Sequence, residues 1–399
     1  MPKPPSRRLK PYWTTADNRL VRLYHGNVEQ IAGSLPRGSV HTIVTSPPYH
    51  GLRDYNTDKT LEVGAEPTAE EYIARMVSVF RALRRVLRDD GTVWLNLGDS
   101  YGPNGQLKGV PWRVALALQN NGWVLRQDII WAKPNCMPES VRNRCTKSHE
   151  YLFLLAKRSG YYYDNEAIRE DGTGRPWNPK NDFGADSNRS NKSKHLSARQ
   201  LDLQRTQFAH NTHHDDMDKT GRSKRSVWWV APATYPGAHY ATFPARLIEP
   251  CILAGTSERG CCPRCGKPWK RIVERGEYSK SNRQAKRKGG EDNPSLQGAE
   301  LNCVGGGYWP VKTVGWQPGC KCKRRKPVPC VVLDPFVGSG TTCCVALANG
   351  RRSVGIDLSA DYLATDAVPR ITGELLARPR LAHQAGHKRA PVKIGKSIA

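Results

Sequence analysis

One run near the carboxyl end restricts the fold more than any other. Val331-Val332-Leu333 reads as a buried strand, and Asp334-Pro335-Phe336-Val337-Gly338-Ser339-Gly340-Thr341-Thr342 follows directly. Thr341 to Asn349 then has the composition of a helix closed by Gly350, and Ser353-Val354-Gly355-Ile356 forms a second strand ending in Asp357. Strand, glycine turn, helix, strand and acid together are a building unit of parallel α/β sheets. Glycine lets the backbone pass close to a guest. The acid, 19 residues after Gly338, stands where both hydroxyls of a ribose can be held. No Lys follows the last glycine, which excludes a phosphate loop. Cys343 stands where a nicotinamide-binding turn needs its third glycine, and such a turn leaves Asp334 without a use.

The same alternation runs through the first part of the chain. Arg19 to Tyr24, His41 to Thr45, Thr92 to Leu97, Trp123 to Trp131 and Tyr151 to Ala156 read as strands. Thr68-x-x-Glu71 is a capping box, and Ile73, Met76, Val77, Phe80, Leu83 and Leu87 recur behind it at helical spacing up to Asp90-Gly91. A further helix is expected near Pro111 to Gln119.

The strand His41 to Thr45 feeds into Ser46-Pro47-Pro48-Tyr49. Ligands bind at the carboxyl ends of strands in open α/β sheets. Two prolines stiffen the loop and remove backbone donors, so the carbonyls of Ser46 and Pro47 face a guest as acceptors only. Such a loop suits the exocyclic amino group of a nucleobase, whose nitrogen is planar and weakly nucleophilic because its lone pair is delocalised. Hydrogen bonds from its N–H groups to Ser46 Oγ and the Pro47 carbonyl favour a pyramidal nitrogen, while Tyr49 stacks on the base and holds it in line. A base treated this way must first leave the duplex.

Thr45-Ser46-Pro47-Pro48-Tyr49 together with Asp334 to Gly340 resembles the β-class DNA amino-methyltransferases of bacterial and phage restriction–modification systems, with the catalytic motif first and the cofactor motif last. Arg19 to Asn27, Ile129 to Pro134, Ser148 to Asp164 and Tyr240 to Leu253 are similar to further segments of that family. The resemblance implies a Rossmann-like α/β domain with a seven-stranded mixed sheet containing one reversed strand. It implies methyl transfer from S-adenosylmethionine to a flipped base, with Ser46, Pro47, Pro48 and Tyr49 catalytic. Asn27, Thr45, Phe243, Pro244, Asp334, Phe336, Gly338, Ser339, Gly340, Thr341 and Asp357 are then the cofactor-binding residues. Gly26-Asn27 departs from the Gly-Asp common in the family. Ser-Pro-Pro-Tyr favours cytosine N4, with adenine N6 as the alternative. An inactive DNA-binding or regulatory module is the reading of another class. The implied partners are double-stranded DNA and a cognate restriction endonuclease.

Charge agrees with a polyanionic partner: 62 Lys and Arg stand against 36 Asp and Glu, a formal net charge of +26. No apolar run approaches the ~20 residues of a membrane helix. Met1 to Lys10 is basic and lacks the apolar stretch of a signal peptide, so the expected location is the cytoplasm of a bacterium or phage-infected host.

Of the 12 cysteines, Cys262-x-x-Cys265 and Cys320-x-Cys322 form two close pairs, the pattern of a structural zinc site. The second pair is tight, and Cys261 or Cys303 are substitutes. Pro250-Cys251 and Pro329-Cys330 are read as core, not as nucleophiles. The expected organisation is a catalytic half (1–165), a DNA-recognition insertion (166–230), a cofactor-closing segment (231–259), a zinc insertion (260–327), a cofactor-binding half (328–376) and a basic tail (377–399).

Overall fold

A computed structural model describes residues 9–16, 20–52, 58–171, 221–232, 243–276, 311–323 and 326–377. Most of the expected DNA-recognition insertion, the residues just before Phe243, Cys303 and nearly all of the basic tail lie outside the described residues.

The capping box at Thr68 forms as expected. Glu71 N–H donates to Thr68 Oγ1 at 3.2 Å and the Glu71 carboxylate accepts from Thr68 N–H at 3.0 Å. It opens α2 (Ala69–Val86), which buries Tyr72, Met76, Val79, Phe80, Leu83 and Val86 along one stripe. Asp90-Gly91 does not end this helix. The chain turns extended at Leu87 and β4 runs from Leu87 to Leu97, pairing Val40 with Leu87 and then Thr42 with Thr92 across a register shift. Gly91 belongs to that irregularity, because a Cβ there would lie 2.7 Å from Leu87 Cγ and 2.9 Å from the His41 carbonyl.

The other strands of the main sheet are β1 (Trp13–Thr14), β2 (Val21–His25), β3 (Val40–Thr45), β5 (Val124–Ala132), β6 (His149–Ala156), β9 (Val227–Trp229), β12 (Val331–Asp334) and β13 (Arg352–Asp357). Their order is β1-β2-β13-β12-β3-β4-β6-β5-β9, so the sheet has nine strands rather than seven. Seven of them, β2 through β5 in that order, form the expected mixed sheet with β6 reversed. The two additions are edge pairings too short to carry a periodic signal: two residues of β1 antiparallel to β2, and three of β9 parallel to β5. Two small ladders lie apart, β7 (Glu170–Asp171) with β8 (Gly221–Arg222), and β10 (Lys270–Arg275) with β11 (Val311–Gln317).

Helices cover both faces, as a parallel sheet requires. α1 (Val28–Ser34), α2 and α3 (Val110–Asn120) share one core with Ile43, Leu95 and Leu333. On the other face α4 (Ala245–Gly255) and α5 (Thr341–Ala348) meet Val44, Trp94 and Val332, and α6 (Val368–Ala377) packs beside α5 through Ile371. Ile43 and Val44 point into opposite cores, so β3 is buried on both faces along its whole length. Cys251 and Cys330 are fully buried, in keeping with core roles. Among the described residues no helix is long and apolar enough to cross a membrane.

Candidate active site

β3 and β12 are neighbours, so the loops that follow them leave the sheet at the same edge. Thr45 Oγ1 donates to Asp334 Oδ1 at 2.7 Å, joining residues 289 apart in sequence. Thr342 Oγ1 donates to Asp334 Oδ2 at 2.6 Å and Phe336 N–H to Oδ1 at 3.1 Å. Burial pushes the Asp334 carboxyl up to about 6 although these three donors favour its charge. Asp334 and Thr45 therefore stand behind the site as a brace between the two motifs, and neither lines the cavity beside them.

That cavity has a volume of about 380 Å³. The loops after β2 and β12 supply Asn27, Phe336 and Gly338 to its wall, the end of β13 supplies Asp357, and the loop after β3 supplies Ser46, Pro47, Pro48 and Tyr49. Asp357 is clamped by Gly338 N–H at 2.7 Å and Ser359 N–H at 2.9 Å, while burial pushes its carboxyl above the ordinary range. Asn27 Oδ1 caps α1, accepting from Glu29 and Gln30 N–H at 2.9 and 3.1 Å. Gly340 caps α5 at φ 81°, and a Cβ there would sit 3.2 Å from Ala367 Cα. Ser339, Gly340 and Thr341 do not line the cavity. Arg370 of α6 secures them, donating to Ser339 O at 2.9 Å, Ser339 Oγ at 2.6 Å and Thr341 Oγ1 at 3.1 Å. Phe243 is buried in the core with Val44 and Trp94, and Pro244 is the N-cap of α4; neither lines the cavity.

At the Ser46 end the structure brings in residues that had no place in the motif. Tyr49 Oη donates to Glu150 Oε2 at 2.7 Å and accepts from Asn96 Nδ2 at 2.8 Å and Ser46 Oγ at 3.3 Å. Asn96 Nδ2 also reaches Glu150 Oε2 at 2.8 Å, and Lys133 pairs with Glu150 Oε1. Burial, then the Glu150 charge, push the Tyr49 phenol well above its ordinary range, so it keeps its proton. The Tyr72 hydroxyl donates to the Pro48 carbonyl at 3.0 Å. Gly98 leaves room for the Tyr49 ring: a Cβ there would lie 2.7 Å from Tyr49 Cε2. In the sequence Glu150 is marked by its place in the family-like segment Ser148 to Asp164 and as a carboxylate at the head of the apolar strand Tyr151 to Ala156, and neither assigns it a role.

Away from the cavity, the thiols of Cys262, Cys265, Cys320 and Cys322 all lie within 4.8 Å of one another. Cys261 lies instead with His41 and Cys330. His41 is no ligand there: Nδ1 accepts from Val331 N–H at 3.0 Å, so Nε2 carries the proton and donates to Gly266 O at 2.9 Å.

The family model of N6/N4 DNA methylases matches residues 40–262 and 330–367. The Type II methyltransferase M.Cfr9I of Citrobacter freundii is 34% identical over 381 residues, covering 88% of this chain and 88% of its own. M.SmaI of Serratia marcescens is 32% identical over 372 residues, covering 86% and 88%. In fold the chain is similar to the solved PvuII DNA methyltransferase (cytosine-N4-specific), with a TM-score of 0.52 at 14% identity over 94% of this chain and 95% of that one. The chain belongs to the N6/N4 DNA methylases, the S-adenosylmethionine-dependent amino-methyltransferases of restriction–modification systems.

Proposed function

We propose that this chain methylates cytosine N4 in duplex DNA, with the base flipped into the Ser46–Tyr49 end of the cavity. The observation that carries the reading is that the acid-and-glycine wall and the Ser-Pro-Pro-Tyr wall line one space. Asp357 would hold the ribose of S-adenosylmethionine and Phe336 would pack on its adenine, beside the bare backbone of Gly338. When bound, S-adenosylmethionine supplies an electrophilic methyl group on a sulfonium that leaves as a neutral thioether. The chain's part is to orient the base. Ser46 Oγ and the Pro47 carbonyl accept from its amino group, and Tyr49 fixes its plane. A serine at position 46, in place of an acid or amide, supports cytosine over adenine. Incubation with labelled S-adenosylmethionine and duplex DNA, followed by methylation-aware sequencing, tests the reading. N4-methylcytosine at one recurring sequence is the expected product; methylated adenine alone overturns the choice of base, and unlabelled DNA overturns the activity.

Residues 166–230 serve in this reading as the DNA-recognition insertion, supported by their basic, polar composition. Cys262, Cys265, Cys320 and Cys322 hold one structural zinc, supported by four sulfurs grouped in a segment with little core of its own. Metal analysis of the purified protein should find one zinc per chain, and a Cys262→Ser/Cys265→Ser variant should lose it. Metal-free wild type overturns the site.

A further inference from the structure

We propose that Glu150 is a positioning residue: it sets the direction of a hydrogen-bond chain so that Ser46 presents only lone pairs to the target amino group. This rests on the reading of Ser46 given above. The argument begins at the carboxylate, which has no proton to give and can only accept. Its Oε2 lies 2.7 Å from Tyr49 Oη, and the phenol has a single proton, which Glu150 takes. The Tyr49 oxygen is then left with lone pairs alone. It fills them from Asn96 Nδ2 at 2.8 Å and from the Ser46 hydroxyl at 3.3 Å. Ser46 in turn has only one proton, and this contact commits it away from the base.

The opposite direction would defeat the site. If Tyr49 donated to Ser46, the serine hydroxyl would be free to point its hydrogen at an amino group that also donates, and the two would repel. Glu150 makes that arrangement costly, because it would face the phenol lone pair with a negative charge. Lys133, paired with Oε1 and lying 4.4 Å above the Trp131 ring, holds the carboxylate in place from the other side. The Ser46–Tyr49 contact is longer than a typical O–H···O bond, as catalytic contacts often are before substrate tightens them.

The role is tested with Glu150→Gln and Glu150→Asp in the full-length chain. Glutamine keeps the shape but can donate, so the direction is no longer enforced. Single-turnover methyl transfer to DNA should fall by roughly 100-fold, while S-adenosylmethionine affinity, read by equilibrium binding, stays within about twofold. Aspartate still cannot donate and should recover about tenfold of the lost rate. In a Tyr49→Phe background, Glu150→Gln should cost less than about threefold, because the chain is already cut. Full-rate Glu150→Gln, an aspartate variant no faster than glutamine, or an equal cost in both backgrounds overturns the proposal. Wild-type protein that leaves DNA unmethylated overturns the underlying activity instead.

Discussion

Tyr49 can occupy its place only because residue 98 has no side chain. The ring edge fills the position of the missing Cβ, and β4 ends there with Leu97 fully buried beneath. Gly98→Ala should therefore displace the ring, lowering single-turnover methyl transfer by roughly 100-fold, while circular dichroism and the melting temperature stay close to wild type. An unchanged rate would show that the ring has slack to move. Asp334 gives a different kind of prediction. Its carboxyl is raised to about 6 by burial, so the folded state holds the proton more tightly than the unfolded chain does. Its contribution to stability is complete below the unfolded value near 3.9 and is lost as pH rises through about 6. The loss amounts to roughly 3 kcal/mol. Denaturant titrations of wild type and Asp334→Asn between these limits should show their stability difference shrinking as pH rises; a pH-independent difference rejects the assignment. At this scale the sequence was informative about identity more than role. Asp334 and Thr45 were visible as members of motifs, but their hydrogen bond spans 289 residues and no local pattern announces it.

Elements were the most legible level. α3 and α5 lie within a residue of the spans that periodicity and capping predict, and α2 starts where its capping box puts it, because local chemistry sets those ends; α2 stops at Val86, short of the expected Asp90-Gly91. What periodicity missed was tertiary in cause. β4 begins at Leu87, inside the helical pattern, because Leu87 finds a partner in Val40 of the sheet. The contact between α4 and α5 has a similar hidden determinant. The buried Arg351 guanidinium donates to Thr256 Oγ1 and Thr256 O at the end of α4, at 3.0 and 3.2 Å, and to Asn349 O at the end of α5 at 2.5 Å. One cation thus meets the negative ends of two helices at once. Arg351→Met should leave these acceptors unpaired and destabilise the protein by roughly 3 kcal/mol, measured by urea denaturation. A loss below about 1 kcal/mol would mean that water replaces the guanidinium. The cysteine knuckle is anchored to the sheet in the same backbone-directed manner. Gly266 O accepts from His41 and Cys265 O from Arg88 Nη1 at 2.7 Å, so the start of the catalytic strand β3 and the knuckle are fixed to one another.

For the whole molecule, charge leads to a prediction independent of any single contact. A formal net charge of +26 implies that DNA binding is driven largely by counterion release. Affinity should fall by about 1,000-fold between 50 and 200 mM salt if about six phosphates are neutralised, whereas S-adenosylmethionine binding should hardly change. Fluorescence anisotropy across a salt series checks both, and a flat DNA curve removes the electrostatic account. The joining of β3 to β12 carries a further consequence, for the order of events at the ribosome. The strand that bears the catalytic loop acquires one of its two neighbours only from residues 331–334. Until those residues emerge, β3 lacks its β12 neighbour and the two walls of the cavity cannot be brought together. A complete site can therefore assemble only after β12 has been made, late in synthesis.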